Sequence, residues 1–228
     1  MTQKNDGLIS LSAPISYIAI EGVIGAGKTA VARQLSERLR STLILENFED
    51  NPYLKKFYVN TEEYAFRTQI FFLIERYTQL QKLHQKDLFE SYIVCDYIFE
   101  KDKIFAYMNL SDDELKIYEM ISSSMDRNIV QPDLVIYLQS PVEKLMKNIK
   151  QREREIDKDV TEEYISDLND AYNYFFSRYK GSKVMIVNCE EIDFVNNRKD
   201  FENLVEEIFK EYRGAVEYYN PSLRKTAQ

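Results

Sequence analysis

Gly22-Val23-Ile24-Gly25-Ala26-Gly27-Lys28-Thr29 follows the pattern G-x-x-x-x-G-K-[ST], and its flanks decide how it is read. Before it, Ser16 to Glu21 (SYIAIE) has the apolar content of a short buried strand. After it, Ala30 to Leu39 (AVARQLSERL) has the spacing of an amphipathic helix. Strand, glycine-rich turn and helix is the setting that gives the pattern a mechanism. The glycines let successive backbone N–H groups converge on phosphate oxygens, and the helix N-terminus adds a favourable field. Lys28 is placed to reach the β- and γ-phosphates, and the Thr29 hydroxyl to ligate Mg²⁺. The stretch predicts a nucleoside triphosphate site.

Outward from this motif, apolar strand-like runs recur at Tyr17–Glu21, Thr42–Glu46, Tyr92–Asp96, Asp133–Leu138 and Lys183–Asn188. Helical patterns lie between them, at Thr29–Arg40, Thr61–Lys86, Asp112–Arg127, Val142–Arg152, Thr161–Tyr179 and Asp200–Arg213. Such alternation predicts one α/β domain with a five-stranded parallel sheet covered by helices on both faces. Residues 1–14 read as a loose leader and 214–228, which hold Pro221, as a partly disordered tail.

Composition narrows the chemistry. At 228 residues, 44% hydrophobic and 30% charged, the chain has the balance of an ordinary soluble domain. A net charge of −8 argues against nucleic acid as the main partner. The only cysteines, Cys95 and Cys189, lie in apolar runs, which suits buried thiols in a reducing, cytoplasmic setting. No run approaches the roughly 18 apolar residues that span a bilayer, and no signal pattern opens the chain. His84 is the single histidine and sits in the polar segment QKLHQKD, with no partner nucleophile nearby in sequence.

In an open parallel sheet, ligands collect at the carboxyl ends of the strands. That rule selects Glu21, Glu46 and Asp96. Phosphoryl transfer to an alcohol needs positioning, charge neutralisation and a proton acceptor, and a carboxylate suits the last role or holds Mg²⁺. Spacing alone leaves each carboxylate equally readable as a solvated strand end, with Asp50 or Asn51 capping a helix near Pro52. Lys144, Lys147 and Lys150 recur every three residues and read as a solvated helix face. Arg152 and Arg154 follow where that helix ends, on a short segment able to close over a triphosphate. No D-x-x-G follows the third strand and no N-K-x-D occurs, so a G-protein switch is not expected.

Four blocks carry a resemblance beyond the motif: IAIEGVIGAGKT at 18–29, EDNPYLKKFY at 49–58, CDYIFEKDKIFA at 95–106 and PDLVIYLQSPVEKLMKNIKQREREID at 132–157. They resemble the deoxynucleoside kinases, specifically the bacterial deoxyguanosine/deoxyadenosine kinase branch. The resemblance implies a P-loop kinase fold over 15–213, with an arginine-bearing lid at about 150–158. It implies an ATP-Mg-dependent enzyme of nucleotide salvage acting on the 5′-hydroxyl of purine deoxynucleosides, as a homodimer or related heterodimer with helices 61–86 and 112–127 at the interface.

By that resemblance Glu46 is the carboxylate nearest the 5′-hydroxyl, and Asp96 is the acidic residue linked to Mg²⁺ and to proton acceptance. Tyr58 and Asp157 match the pair holding the sugar 3′-hydroxyl. Gln69, Arg76 and Asp102 match the residues bonding the base, and Arg152 and Arg154 the lid arginines embracing the donor phosphates. Read by spacing alone, Gln69 and Arg76 equally form a surface pair on one helix face, Tyr58 a core aromatic, and Asp157 a cap for the helix at Thr161. One departure stands out. The arginine that usually follows the acidic residue is Tyr97 here, which leaves Lys101, Lys103 or the lid arginines to supply a phosphate-facing cation. The polar trio at the base favours purines, with deoxycytidine as the alternative. The rival activities are a deoxynucleoside monophosphate kinase and a non-catalytic nucleotide-binding module.

Overall fold

The computed structural model describes residues 15–85, 92–212 and 214–221. The leader at 1–14 lies outside them, as do Lys86, Arg213 and residues 222–228 of the expected tail. β1 (Tyr17–Glu21) is buried along its whole length. It holds the centre of a parallel sheet with β2 (Thr42–Ile44), β3 (Ile93–Cys95), β4 (Leu134–Gln139), β5 (Lys183–Asn188) and β6 (Val216–Tyr219), in the order β2-β3-β1-β4-β5-β6. Near-continuous apolar runs such as LVIYL in β4 are what a strand covered on both faces requires.

Register aligns the strand ends that matter. Ala19 stands beside Cys95, and Cys95 beside Ile44. One residue past Cys95 comes Asp96, while Glu46 and Glu21 lie two residues past Ile44 and Ala19. The three acidic residues are thereby drawn to one edge, beside the point where strand order reverses around β1.

The helices are α1 (Lys28–Leu39), α2 (Leu54–Val59), α3 (Thr61–Gln81), α4 (Lys101–Asn109), α5 (Asp112–Asp126), α6 (Val142–Gln151), α7 (Glu162–Phe176) and α8 (Arg198–Ile208). A 3-10 turn at Lys82–Gln85, which includes His84, prolongs α3. Some helix starts carry side-chain caps that fix them locally: Asn60 accepts from the Glu63 N–H, Thr161 from the Tyr164 N–H, and Ser111 with Glu114 forms a capping box for α5. α1 and α8 cover one face of the sheet through Val31, Leu35, Leu204 and Ile208. α6 and α7 cover the other through Leu145, Ile149, Leu168 and Phe176.

The sheet has six strands, not the expected five. β6 pairs with β5 from Val184↔Val216 to Val187↔Tyr219, so residues 214–221 join the domain instead of forming a loose tail. Its four residues make a short edge in which Tyr219 is buried while Tyr218 is 76% exposed. Glu217 interrupts its apolar residues and Gly214 and Pro221 flank it, so by pattern it reads as a tail. Leu35 is fully buried between α1 and the sheet. We expect Leu35→Ala to cost about 2–5 kcal/mol, seen as a lower denaturation midpoint with an unchanged slope.

Candidate active site

The chain leaves β1 into the loop 22–27, where Gly25 (φ 91) and Gly27 (φ 90) adopt left-handed backbone. A Cβ on Gly25 would lie 2.6 Å from the Leu145 carbonyl oxygen of α6, so only glycine fits. α1 begins at Lys28 with no side-chain cap, leaving its first N–H groups to an anion. The Lys28 ammonium folds back over the loop, donating to the carbonyls of Gly22 (2.8 Å) and Val23 (3.2 Å). Burial, and next the Lys101 ammonium, push Lys28 down to about 8.

The acidic strand ends have three different environments. Glu21 is fully buried and accepts from the N–H groups of Gly22 (3.1 Å) and Ile98 (2.9 Å), bracing the loop against the segment after β3. Burial raises its carboxyl above the usual range, against the pull of Lys101 and Lys28. Asp96 accepts from the Thr29 hydroxyl (2.7 Å) and the Glu46 N–H (2.7 Å), and burial raises it as well. Glu46 accepts two bonds on Oε1 from Arg76, at 2.9 and 2.6 Å, and one on Oε2 from Lys101 at 2.6 Å. Burial would raise Glu46, but Lys101 and Arg76 overcome it and hold the carboxyl far below its ordinary range.

Arg76 and Asp102 are 4% and 1% exposed and form an ion pair. The guanidinium also lies over the Phe72 ring at 4.8 Å. Gln69 donates to the Asp102 carbonyl at 2.7 Å. The seven-residue spacing thus turns Gln69 and Arg76 inward on α3, which is not the surface arrangement. Asp157 pairs with Arg152 (2.8 Å) and leaves the capping of α7 to Thr161. Tyr58 lines the same chamber, packed edge-on against Tyr164 at 6.0 Å.

These residues enclose a chamber of about 120 Å³ whose walls include Glu46, Tyr58, Gln69, Arg76, Asp96 and Asp157, with Phe48, Phe72, Phe105 and Tyr172 between them. A wider cleft of about 890 Å³ runs over the glycine loop to the turn at 189–196. Lys28, Thr29, Arg152 and Arg154 line both. Glu153, between the two arginines, adopts φ 46, a left-handed conformation that ends α6 and costs a non-glycine residue about 1 kcal/mol. The chain turns there so that Arg152 and Arg154 both face the shared wall, Arg154 lying 4.9 Å over Phe48.

Two features escaped sequence reading. Lys144 is not part of a solvated face: its ammonium donates to the carbonyls of Cys189 and Ile192 and pins the far side of the cleft. Lys101 is 4% exposed on Glu46, whereas Lys103 pairs with Asp126 at 3.0 Å, away from the chamber. No group of three or more His, Cys, Asp or Glu able to hold a metal occurs among the described residues.

Comparisons with known proteins agree with this architecture. A family model described as deoxynucleoside kinase matches residues 18–212. The chain is 34% identical over 197 residues to a deoxyguanosine kinase of Bacillus subtilis (strain 168), across 84% of this chain and 95% of that protein. It is 30% identical over 203 residues to the deoxyadenosine/deoxycytidine kinase of the same organism, across 85% and 91%. Among solved structures, a deoxyadenosine kinase from M. mycoides with bound dATP superposes with a TM-score of 0.73 at 25% identity, covering 86% of this chain and all of that one. A loop built for polyphosphate, joined by two arginines to a chamber of paired charges, occurs here in a chain that belongs to the deoxynucleoside kinase family.

Proposed function

We propose that this protein transfers the γ-phosphoryl group of ATP to the 5′-hydroxyl of a purine deoxynucleoside, giving the monophosphate and ADP. The observation that carries this reading is the shared wall. A nucleoside in the chamber and a triphosphate in the cleft meet at Lys28, Thr29, Arg152 and Arg154. Substrate choice draws support from the names of the relatives and from Gln69 and Arg76, polar groups in the chamber wall that favour a base with matching hydrogen-bonding groups, Arg76 being backed by Asp102. The deoxyadenosine/deoxycytidine kinase among the relatives keeps deoxycytidine as a second substrate to test.

In this reading Tyr58 and Asp157 hold the sugar, and Arg152 and Arg154 belong to a lid at about 150–158. A carboxylate offers about four acceptor positions. Glu46 commits two on Oε1 to Arg76 and one on Oε2 to Lys101, which leaves one on Oε2 for the substrate hydroxyl. As the 5′-oxygen bonds to the γ-phosphorus, the bond to the bridging oxygen breaks, its electron pair leaves on ADP, and the proton passes to Glu46. Asp96 has a different part. Its carboxylate 2.7 Å from the Thr29 hydroxyl fits Mg²⁺, a hard cation that takes few protein oxygens and completes its shell with water and phosphate. Bound there, Mg²⁺ would neutralise phosphate charge.

Exposed Ile74 on α3 and Ile117 and Met120 on α5 support pairing of two copies through those helices. No helix among the described residues is long and apolar enough to cross a membrane; a cytoplasmic location is part of the proposal.

Assayed with ATP, deoxyguanosine or deoxyadenosine is expected to turn over at least about 100-fold better than thymidine. Turnover of dGMP without turnover of deoxyguanosine would contradict the assignment. Lys28, at about 8, is half-neutral at pH 8, and an arriving triphosphate restores its charge. Calorimetry of ATP binding in buffers of different ionisation enthalpy should therefore report net proton uptake near pH 8 that shrinks as the pH is lowered towards about 6, where Lys28 is already charged. Heats that do not vary with the buffer would contradict it.

A further inference from the structure

The position following Asp96 carries no cation. Tyr97 is fully buried in the core under α3, and its hydroxyl donates to Gln79. Of the other cations read from sequence as substitutes, Lys103 is held by Asp126, Arg152 by Asp157, and Arg154 lies over Phe48. Lys28 rests on the carbonyls of Gly22 and Val23 beside the triphosphate cleft. Lys101 differs from all of these. It stands four residues after Tyr97, so the first turn of α4 carries its side chain back to the strand ends.

Its ammonium lies 2.6 Å from Glu46 Oε2, the oxygen whose remaining position would receive the substrate hydroxyl. A hydroxyl bound at that position has the Lys101 ammonium as its neighbour on the same carboxylate oxygen. Lys101 also lines the chamber, alongside Lys28, Thr29 and Asp96. The two cations on Glu46 are not equally fixed. Arg76 is locked by Glu46, Asp102 and the Phe72 face, whereas Lys101 has Glu46 as its one ion-pair partner among the described residues. A flexible four-carbon stem lets an ammonium shift while its charge stays in place.

We propose that Lys101 is a catalytic residue, supplying the phosphoryl-facing cation that Tyr97 cannot. It rests on Glu46 in the free enzyme and turns to the γ-phosphoryl oxygens as negative charge gathers there. This rests on the kinase reading given above. The chemistry asked of it is charge stabilisation on the chamber side of the phosphoryl group, complementing Lys28 and the lid arginines on the shared wall.

The test compares Lys101→Gln, Lys101→Arg and Lys103→Met with the parent on its best deoxynucleoside, each after a thermal melt. Glutamine keeps a donor for Glu46, one bond shorter, and removes the charge. The expected result is a kcat about 100-fold lower for Lys101→Gln, with the KM for the deoxynucleoside within about threefold. Lys101→Arg should recover at least about a tenth of the parent kcat, and Lys103→Met should stay within about twofold. A purely structural lysine would lower the melting temperature without this split between kcat and KM. If Lys101→Gln fails to fold, Lys101→Met is read in the same way. Equal kcat for the charged and uncharged variants overturns the proposal and leaves the kinase assignment standing. A parent without deoxynucleoside turnover overturns both.

Discussion

Two positive and two negative side chains, Arg76, Lys101, Glu46 and Asp102, are held together beside the sheet, and the rest of the site depends on that balance. Three of the four are at most 4% exposed. An isolated buried charge is prohibitive, and a buried pair is tolerated only when geometry and hydrogen bonds satisfy every group. Here Glu46 joins the two cations, and Arg76 carries the link on to Asp102. Removal of one member leaves an opposite charge stranded. The network therefore constrains α3, α4 and the end of β2 relative to one another, and it holds Glu46 ionised without a substrate present.

This arrangement separates two carboxylates that a sequence places on equal terms. Asp96 faces the glycine loop, its oxygens engaged by Thr29 and the Glu46 backbone. Glu46 faces the chamber, with an acceptor position left over. The proposed division, one carboxylate for the metal-bound phosphates and one for the hydroxyl, follows from which neighbours each has and not from intrinsic acidity. The absence of arginine at 97 fits the same picture. A tyrosine there fills the core under α3, and cationic character returns four residues later at Lys101, where α4 begins.

Much of this was legible in the chain. The motif at 22–29 needs only local geometry: left-handed glycines, a strand behind and a helix ahead. The five buried strands announce themselves by apolar runs, and the acidic residues at their ends follow from a rule about parallel sheets. What could not be read depends on distant partners. Lys144 looks solvated by its three-residue spacing, but the carbonyls it binds are 45 and 48 residues away. Gln69 and Arg76 point inward because Asp102, on another helix, is there to meet them. β6 is a four-residue edge at the end of the domain, interrupted by Glu217, and it is its pairing with β5 that makes it a strand. The family resemblance assigned base and sugar contacts that spacing alone left open; Tyr58, Gln69, Arg76 and Asp157 line one chamber, while Asp102 pairs with Arg76 without lining it.

The central claim is that donor and acceptor meet across a single wall, so the phosphoryl group passes between them in one step. Stereochemistry at phosphorus tests this most directly. With ATP made chiral at the γ-phosphorus by oxygen isotopes and sulfur, a single in-line displacement predicts inverted configuration in the nucleoside 5′-thiophosphate formed. Retained configuration would show an intermediate carried on the protein, and would contradict the account.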